Sequence, residues 1–239
     1  MDFKYSSIIL SKRDLSETDR IYNFYSLEEG KIQAVGRGVK KPNAKLAGNL
    51  ESLTFSEIFV SRRKGLGNIT GAIAMNNFLA IKENFSATSR VFWVFSYFDK
   101  LVVEQEKDEK VFGMFLEYLE TMEKLSAEKK LENKLDIVSV GFLFKLAQVL
   151  GYKIAMEYCV VCEKKTAAGN NNFFSAERGG ALCGECGKIE RKKIRNSDSS
   201  IKLVRIFLKN KTGNFSKLEV PEKDLRELKL IWRELAGWI

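Results

Sequence analysis

The chain has 239 residues, 45% of them apolar and 30% charged, enough to bury a core in one or two domains. Forty Lys and Arg against 31 Asp and Glu leave a net charge of +9, which favours polyanionic partners through attraction and counterion release. There is no histidine, no GxxxxGK[ST] loop and no Rossmann glycine fingerprint, which excludes histidine-based triads, dyads and metal ligands; the chain is expected to bind rather than catalyse.

The charge is uneven. Residues 1–85 carry 13 basic and 9 acidic side chains, residues 86–158 carry 10 and 12, and residues 159–239 carry 17 and 10. Two basic ends flank a slightly acidic middle, as expected of three regions with different jobs. Met1-Asp2-Phe3-Lys4 leads straight into a strand-like run, so no signal peptide is expected. The most apolar stretch, Val91 to Val103, is broken by Asp99 and Lys100 and falls short of the roughly 20 apolar residues a membrane span needs. It reads as a buried helix, apolar nearly all round, and the chain as a cytoplasmic protein with no membrane partner.

Five strands are expected first, at Tyr5–Lys12, Arg20–Leu27, Lys31–Arg37, Leu53–Arg62 and Gly67–Met75, each rich in Ile, Val, Phe, Tyr and Thr. Glu28-Glu29-Gly30 is a hairpin candidate, with glycine free to take positive φ. The fourth strand breaks alternation at Glu57-Ile58, which suggests a bulge there. Five short strands without a long helix suit a small barrel such as the OB-fold, with a plain meander as the alternative.

From Asn76 the period becomes helical. Phe112, Phe115, Leu119 and Met122 mark one amphipathic helix, and Leu135, Val138, Phe142, Leu146 and Val149 mark another that stops at Gly151. Asn196-Ser197-Asp198 offers N-caps for a later helix. Pro221, favoured as a first helical residue, opens a last one burying Leu225, Leu228, Trp232 and Leu235. The expected class is therefore α+β. A five-stranded barrel at 1–76 precedes an all-helical domain at 77–155 and 191–239, and a four-cysteine module is inserted at 156–190.

In that module Cys159-Val-Val-Cys162 and Cys183-Gly-Glu-Cys186 are separated by 20 residues, with no cysteine left over. Two such knuckles complete a tetrahedron of thiolates, which suits one structural zinc ion and leaves no open position for water. Redox-active pairs and an iron–sulfur cluster are the competing readings. Gly184 and Gly187 are assigned to tight backbone turns. The run Arg191, Lys192, Lys193 and Arg195 follows, as a phosphate contact or a solvated face.

The amino-terminal basic stretch offers a candidate DNA surface. Residues 31–50 hold Lys31, Arg37, Lys40, Lys41 and Lys45 and no acid; Lys12, Arg13, Arg62, Arg63 and Lys64 would join them on one barrel face. A merely solvated surface is the competing reading. Tyr22, Phe24, Tyr25 and Phe55 could stack bases, though barrel core is the favoured assignment.

These residues resemble the RecO family of bacterial DNA repair proteins. The likeness runs through Ile9-Leu10-Ser11-Lys12-Arg13-Asp14, Glu17-Thr18-Asp19-Arg20, Glu29-Gly30-Lys31, Gly36-Arg37-Gly38-Val39-Lys40-Lys41-Pro42 and Leu46-Ala47-Gly48-Asn49-Leu50. It resumes at Leu150-Gly151-Tyr152 and continues through the first cysteine pair, Phe174-Ser175, Gly179-Gly180 and the second pair. The resemblance implies an OB-fold, a helical domain and a zinc module in a recombination mediator. Such a protein binds single- and double-stranded DNA, anneals complementary strands and acts with RecR to help RecA displace single-strand-binding protein, whose acidic, apolar-ended tail it contacts. Family members without the cysteines imply a structural zinc. The end Glu234-Leu235-Ala236-Gly237-Trp238-Ile239 lacks the basic, serine-ending tail expected of the family. A zinc-ribbon protein-binding scaffold and a thiol oxidoreductase are the alternatives from other classes.

Overall fold

Alternation of apolar and polar side chains closes the first 76 residues into a barrel in the computed structural model, which describes residues 1–63, 65–128, 132–166, 169 and 171–239. Its strands are β1 (Asp2–Asp14), β2 (Arg20–Ser26), β3 (Gly30–Gly36), β4 (Phe55–Ser61) and β5 (Asn68–Asn76). They neighbour in the order β1-β2-β3-β5-β4, with β4 returning to β1. Only the β3–β5 pair is parallel, held by the bridge Val35↔Asn68. This is the OB-fold arrangement, and it rules out the meander. Gly30 takes φ +70° at the β2–β3 hairpin, as the sequence suggested.

The bulge expected at Glu57-Ile58 is not there. Ser56, Ile58 and Val60 point inward in strict alternation, and the pairing shifts by one residue on either side, where β5 carries the extra residues. Tyr5, Tyr22, Phe24, Ile58 and Val60 fill the barrel. Tyr25 and half-buried Phe55 instead meet Phe112, with ring centroids 6.4 and 6.2 Å apart. The three buried aromatics are therefore core or packing residues, not stacking platforms.

Chain contacts divide the molecule into two units, residues 1–83 with 102–120, and residues 84–101 with 121–239. The helices are α1 (Leu79–Glu83), α2 (Phe85–Leu101), α3 (Glu109–Ala127), α4 (Glu132–Val149), α5 (Gly184–Ile189), α6 (Asp198–Lys209) and α7 (Glu222–Ala236). The stretch Val91 to Val103 is helical down to Leu101 but is not the all-round buried element; Phe92 and Ser96 of α2 face solvent. The central helix of the second unit is α4, buried from Lys134 to Phe144. Gly141 allows this packing, because a Cβ there would lie 2.7 Å from the Phe215 ring and 2.8 Å from the Phe207 ring. Two charges enter the same core only with partners, as desolvation requires. Lys134 donates to the Leu218 carbonyl and to Glu219, at 2.8 and 2.5 Å. Asp136 accepts two hydrogen bonds from Arg90, at 2.8 and 3.0 Å, and pairs with Lys229 at 2.7 Å.

Ser197 caps α6 by accepting from the Ser200 N–H, and Gly151, at φ +93°, follows the end of α4. Pro221 sits at the N-cap of α7 rather than inside it, while Leu225, Leu228, Trp232 and Leu235 are buried as expected. A small sheet unforeseen in the sequence, β6 (Phe173–Ser175), β7 (Gly180–Leu182) and β8 (Ile194–Arg195), carries the cysteine segment. Among the described residues no helix is long and apolar enough to cross a membrane.

Candidate metal centre and binding surfaces

The two cysteine pairs, 20 residues apart in sequence, converge because the backbone ties them together. Cys159 N–H donates to the Lys164 carbonyl and Glu163 N–H to the Cys159 carbonyl, which folds the first knuckle into a tight turn. Val160 N–H donates to Ala181 on β7, two residues before Cys183, and so docks that turn against the second knuckle. Cys183 then stands at the N-terminal boundary of the short helix α5, which presents Cys186. At the base, Arg205 of α6 donates to the Met156 carbonyl and to the Thr166 hydroxyl.

All four sulfurs lie within 4.8 Å of one another, and Cys162 and Cys183 are 3.7 Å apart. A tetrahedral ion with metal–sulfur bonds of about 2.3 Å needs sulfurs roughly 3.8 Å apart. The donor set therefore fits a metal ion. It does not resemble two separate redox pairs, because Cys162 of one pair lies 3.7 Å from Cys183 of the other and all four sulfurs share one cluster. Electrostatics point the same way. Burial pushes the Cys159 thiol up, but N–H groups of Cys162, Cys183 and Val161 outweigh it and hold Cys159 at about 6. Cys186 is pushed up to about 12, first by its hydrogen bond with Cys162 and then by burial. Four thiolates this close repel one another, and a cation at their centre is what lets the last proton leave.

Gly187 has a different role from the one its position suggested. Neither it nor Gly184 takes positive φ. A Cβ on Gly187 would stand 2.1 Å from the Phe173 ring, so the glycine lets β6 close over α5.

The barrel cations fall into three groups. Lys12, Lys40 and Arg62 are ion-paired, to Glu51 at 2.5 Å, Asp14 at 2.7 Å and Glu29 at 2.9 Å. Lys40, with Arg20, holds the Asp14 carboxyl below its ordinary range. Arg13, Lys41 and Lys45 face solvent, and Lys31 is the second residue of β3, its carbonyl accepting from Gln105 N–H. Arg37 and Arg63 line one groove of about 590 Å³ with Ser61, Leu66 and Asn68, where the Arg37 Nε donates to the Asn68 side chain at 2.8 Å. The Asp19 carboxyl lies nearby, held below its ordinary range by the Gly38 N–H, Thr18, Arg37 and Lys41. Lys64 lies outside the described residues.

Two further surfaces belong to the second unit. A groove of about 610 Å³ between α2 and α7 combines Trp93, Tyr97 and Leu230 with Arg226, Lys229 and Arg233. The sequence held its signal, since Trp93 and Tyr97 are four apart and Arg226, Lys229 and Arg233 are three and four apart, the spacing of one helix face. Lys145 and Phe142 of α4, another cation near an apolar side chain, form no such surface. Phe142 is instead fully buried and Lys145 donates to the Leu208 carbonyl. The second surface is the basic run, where Arg191, Lys192, Lys193 and Arg195 are all exposed.

Two family models cover almost the whole chain, one described as Recombination protein O N terminal over residues 1–78 and one as Recombination protein O C terminal over residues 84–236. Similar proteins include the DNA repair protein RecO of Dehalococcoides mccartyi, 28% identical over 232 residues, which are 97% of this chain and 88% of that protein. The DNA repair protein RecO of Pelotomaculum thermopropionicum is 26% identical over 97% of this chain and 87% of its own length. That of Bacillus mycoides is 26% identical over 93% and 87%.

Proposed function

Because the chain belongs to the RecO family, we propose that it is a recombination mediator in DNA repair. It binds single- and double-stranded DNA in the cytoplasm at the nucleoid, anneals complementary strands, and acts with RecR to help load RecA on strands coated by single-strand-binding protein. The observation that carries this reading is an OB-fold barrel whose groove brings together Arg37 and Arg63, from segments 26 residues apart. Annealing needs no bond chemistry. Cations on the barrel lower the repulsion between two strands and raise their local concentration, and base pairing supplies the free energy.

The four cysteines hold one structural zinc, which cross-links two knuckles whose own apolar cluster is only Cys159, Leu182, Cys183 and a few half-buried neighbours. The acidic, apolar-ended tail of single-strand-binding protein suits the α2–α7 groove, its apolar end against Trp93 and Leu230 and its carboxylates against Arg226 and Arg233.

The test is binding and annealing across a salt series. Each phosphate neutralised contributes about −0.7 to the log–log slope for single strands. Replacing Arg37, Lys41 and Arg63 with alanine is expected to flatten the slope by about two units and to slow annealing in parallel, equally for all base sequences. Lys40→Ala changes the slope less, since Asp14 already neutralises that ammonium. A triple variant that binds and anneals as the wild type does, at every salt concentration, refutes the barrel site.

A further inference from the structure

We propose that Trp238 and the run Arg191 to Lys193 form a second binding surface for single-stranded DNA, in which an unpaired base stacks on the indole and the cations hold the flanking phosphates. The proposal rests on the DNA-binding reading above and adds to it a site in the other unit of the chain.

Tryptophan is costly to leave in water, yet Trp238 is 49% exposed, whereas Trp232 six residues earlier is fully buried. The exposed indole lines a recess of about 290 Å³ together with Phe174 and Ile194. Lys192 places its ammonium 5.2 Å from the indole centroid, a cation–π contact that orients both groups at the recess. Lys193 stands over the Phe173 ring at 5.3 Å, on the neighbouring strand. Arg191 lines the same recess. Two acids, Glu177 and Glu234, also line it, and the nearby Glu190 is paired with Arg178 at 2.6 Å. The surface thus offers a flat aromatic face beside three cations against two carboxylates. That is the combination by which single strands are held without sequence readout: each base has a π-face to stack, and each phosphate a charge to neutralise. A duplex keeps its bases stacked inside and cannot use the indole. A peptide with an acidic, apolar end is better served by the α2–α7 groove, where Arg226 and Arg233 stand beside two aromatic rings and a leucine, Arg90 and Lys229 being paired with Asp136.

Two sites for single strands, one in each unit, let one chain hold two strands, and annealing is the reaction that profits from this. The test uses the full chain and a labelled oligothymidine at low salt, read by anisotropy. In the background of Arg37→Ala, Lys41→Ala and Arg63→Ala, Trp238→Ala is expected to weaken the remaining binding about ten-fold, the loss of one stacked base. Trp238→Phe should keep most of it. An abasic oligonucleotide should bind the Trp238 chain less tightly than oligothymidine does, and should show no such penalty with Trp238→Ala. Duplex affinity should not respond to either change. Equal affinities and equal abasic penalties with and without the indole would overturn the inference and leave the barrel reading standing. A wild-type chain that binds no single strand at any salt would overturn both.

Discussion

Adding one methyl group at Gly187 tests the construction of the metal centre directly. Its backbone is ordinary helix, so alanine meets no conformational penalty there. The obstacle is steric: the new Cβ would lie 2.1 Å from one carbon of the Phe173 ring and 2.8 Å from two others, where ordinary contact begins near 3.4 Å. The ring must retreat by more than 1 Å, and it belongs to β6, which packs on α5 at the residue directly after Cys186. Overpacking of this kind costs about 1–3 kcal/mol. Helix preference returns up to about 1 kcal/mol for glycine to alanine. A net loss of about 1–2 kcal/mol corresponds to roughly 5- to 30-fold in an equilibrium. Gly187→Ala should therefore surrender its metal to a chromogenic chelator more readily by about that factor, and Phe173→Leu in the same chain should restore most of the loss. Gly113→Ala is the matched control. It lies exposed on α3 with nothing within 4 Å of the added carbon, so only the preference term remains and stability should rise by about 0.5–1 kcal/mol. If Gly187→Ala holds metal and melts as the wild type does, the steric account of this glycine is wrong.

The purified chain should contain one zinc, its four thiols should resist titration until the protein is denatured, and Cys159→Ser or Cys183→Ser should lower the melting temperature; disulfide reductase activity in the zinc-loaded protein would speak for the oxidoreductase instead. A peptide with the acidic, apolar-ended sequence of the single-strand-binding protein tail should bind at low salt and lose affinity with Arg226→Ala and Arg233→Ala, measured by calorimetry; binding indifferent to both would move the pocket elsewhere. Burial and the Glu29 carboxylate that accepts its hydroxyl push Tyr5 from 10.0 up to about 12. A raised value of this kind contributes stability that is present below about pH 10 and lost as pH climbs through 12. Tyr5→Phe should therefore flatten the alkaline limb of a pH-unfolding curve, and superimposable limbs would show that the hydroxyl does not contribute.

The barrel was legible because its signals are local. Alternation over five or more residues and one glycine at Gly30 mark strands and a hairpin without reference to anything distant. The cysteine cluster was legible for a similar reason, since spacing alone specifies a knuckle. What escaped depends on partners far away in sequence. Lys12, Lys40 and Arg62 look free in the sequence, but Glu51, Asp14 and Glu29 reach them from 39, 26 and 33 residues away. Lys134 and Asp136 give α4 two charges in its first turns, and only Glu219, the Leu218 carbonyl, Arg90 and Lys229 make their burial tolerable. The apolar run of α2 looked more deeply buried than it is, because its solvent-facing side appears only when Phe92 and Ser96 are placed on a helix face. Gly187 gave no sign at all, since what excludes a side chain is the ring of Phe173.

The β3–β5 closure is the thinnest joint of the barrel. A single parallel bridge, Val35↔Asn68, joins the two strands, beside the hydrogen bond from Val35 N–H to the Gly67 carbonyl. The other four strand pairs run for seven residues each. Local opening begins where few hydrogen bonds must break, so amide exchange should be fastest along this joint. The groove that holds Arg37 and Arg63 straddles it, with Arg37 reaching across to Asn68. A polymer lying in that groove would act as a suture across the joint. Its occupancy would be recorded as slowed amide exchange at Val35 and Asn68, a signal arising from the mechanics of the barrel rather than from the charge it neutralises.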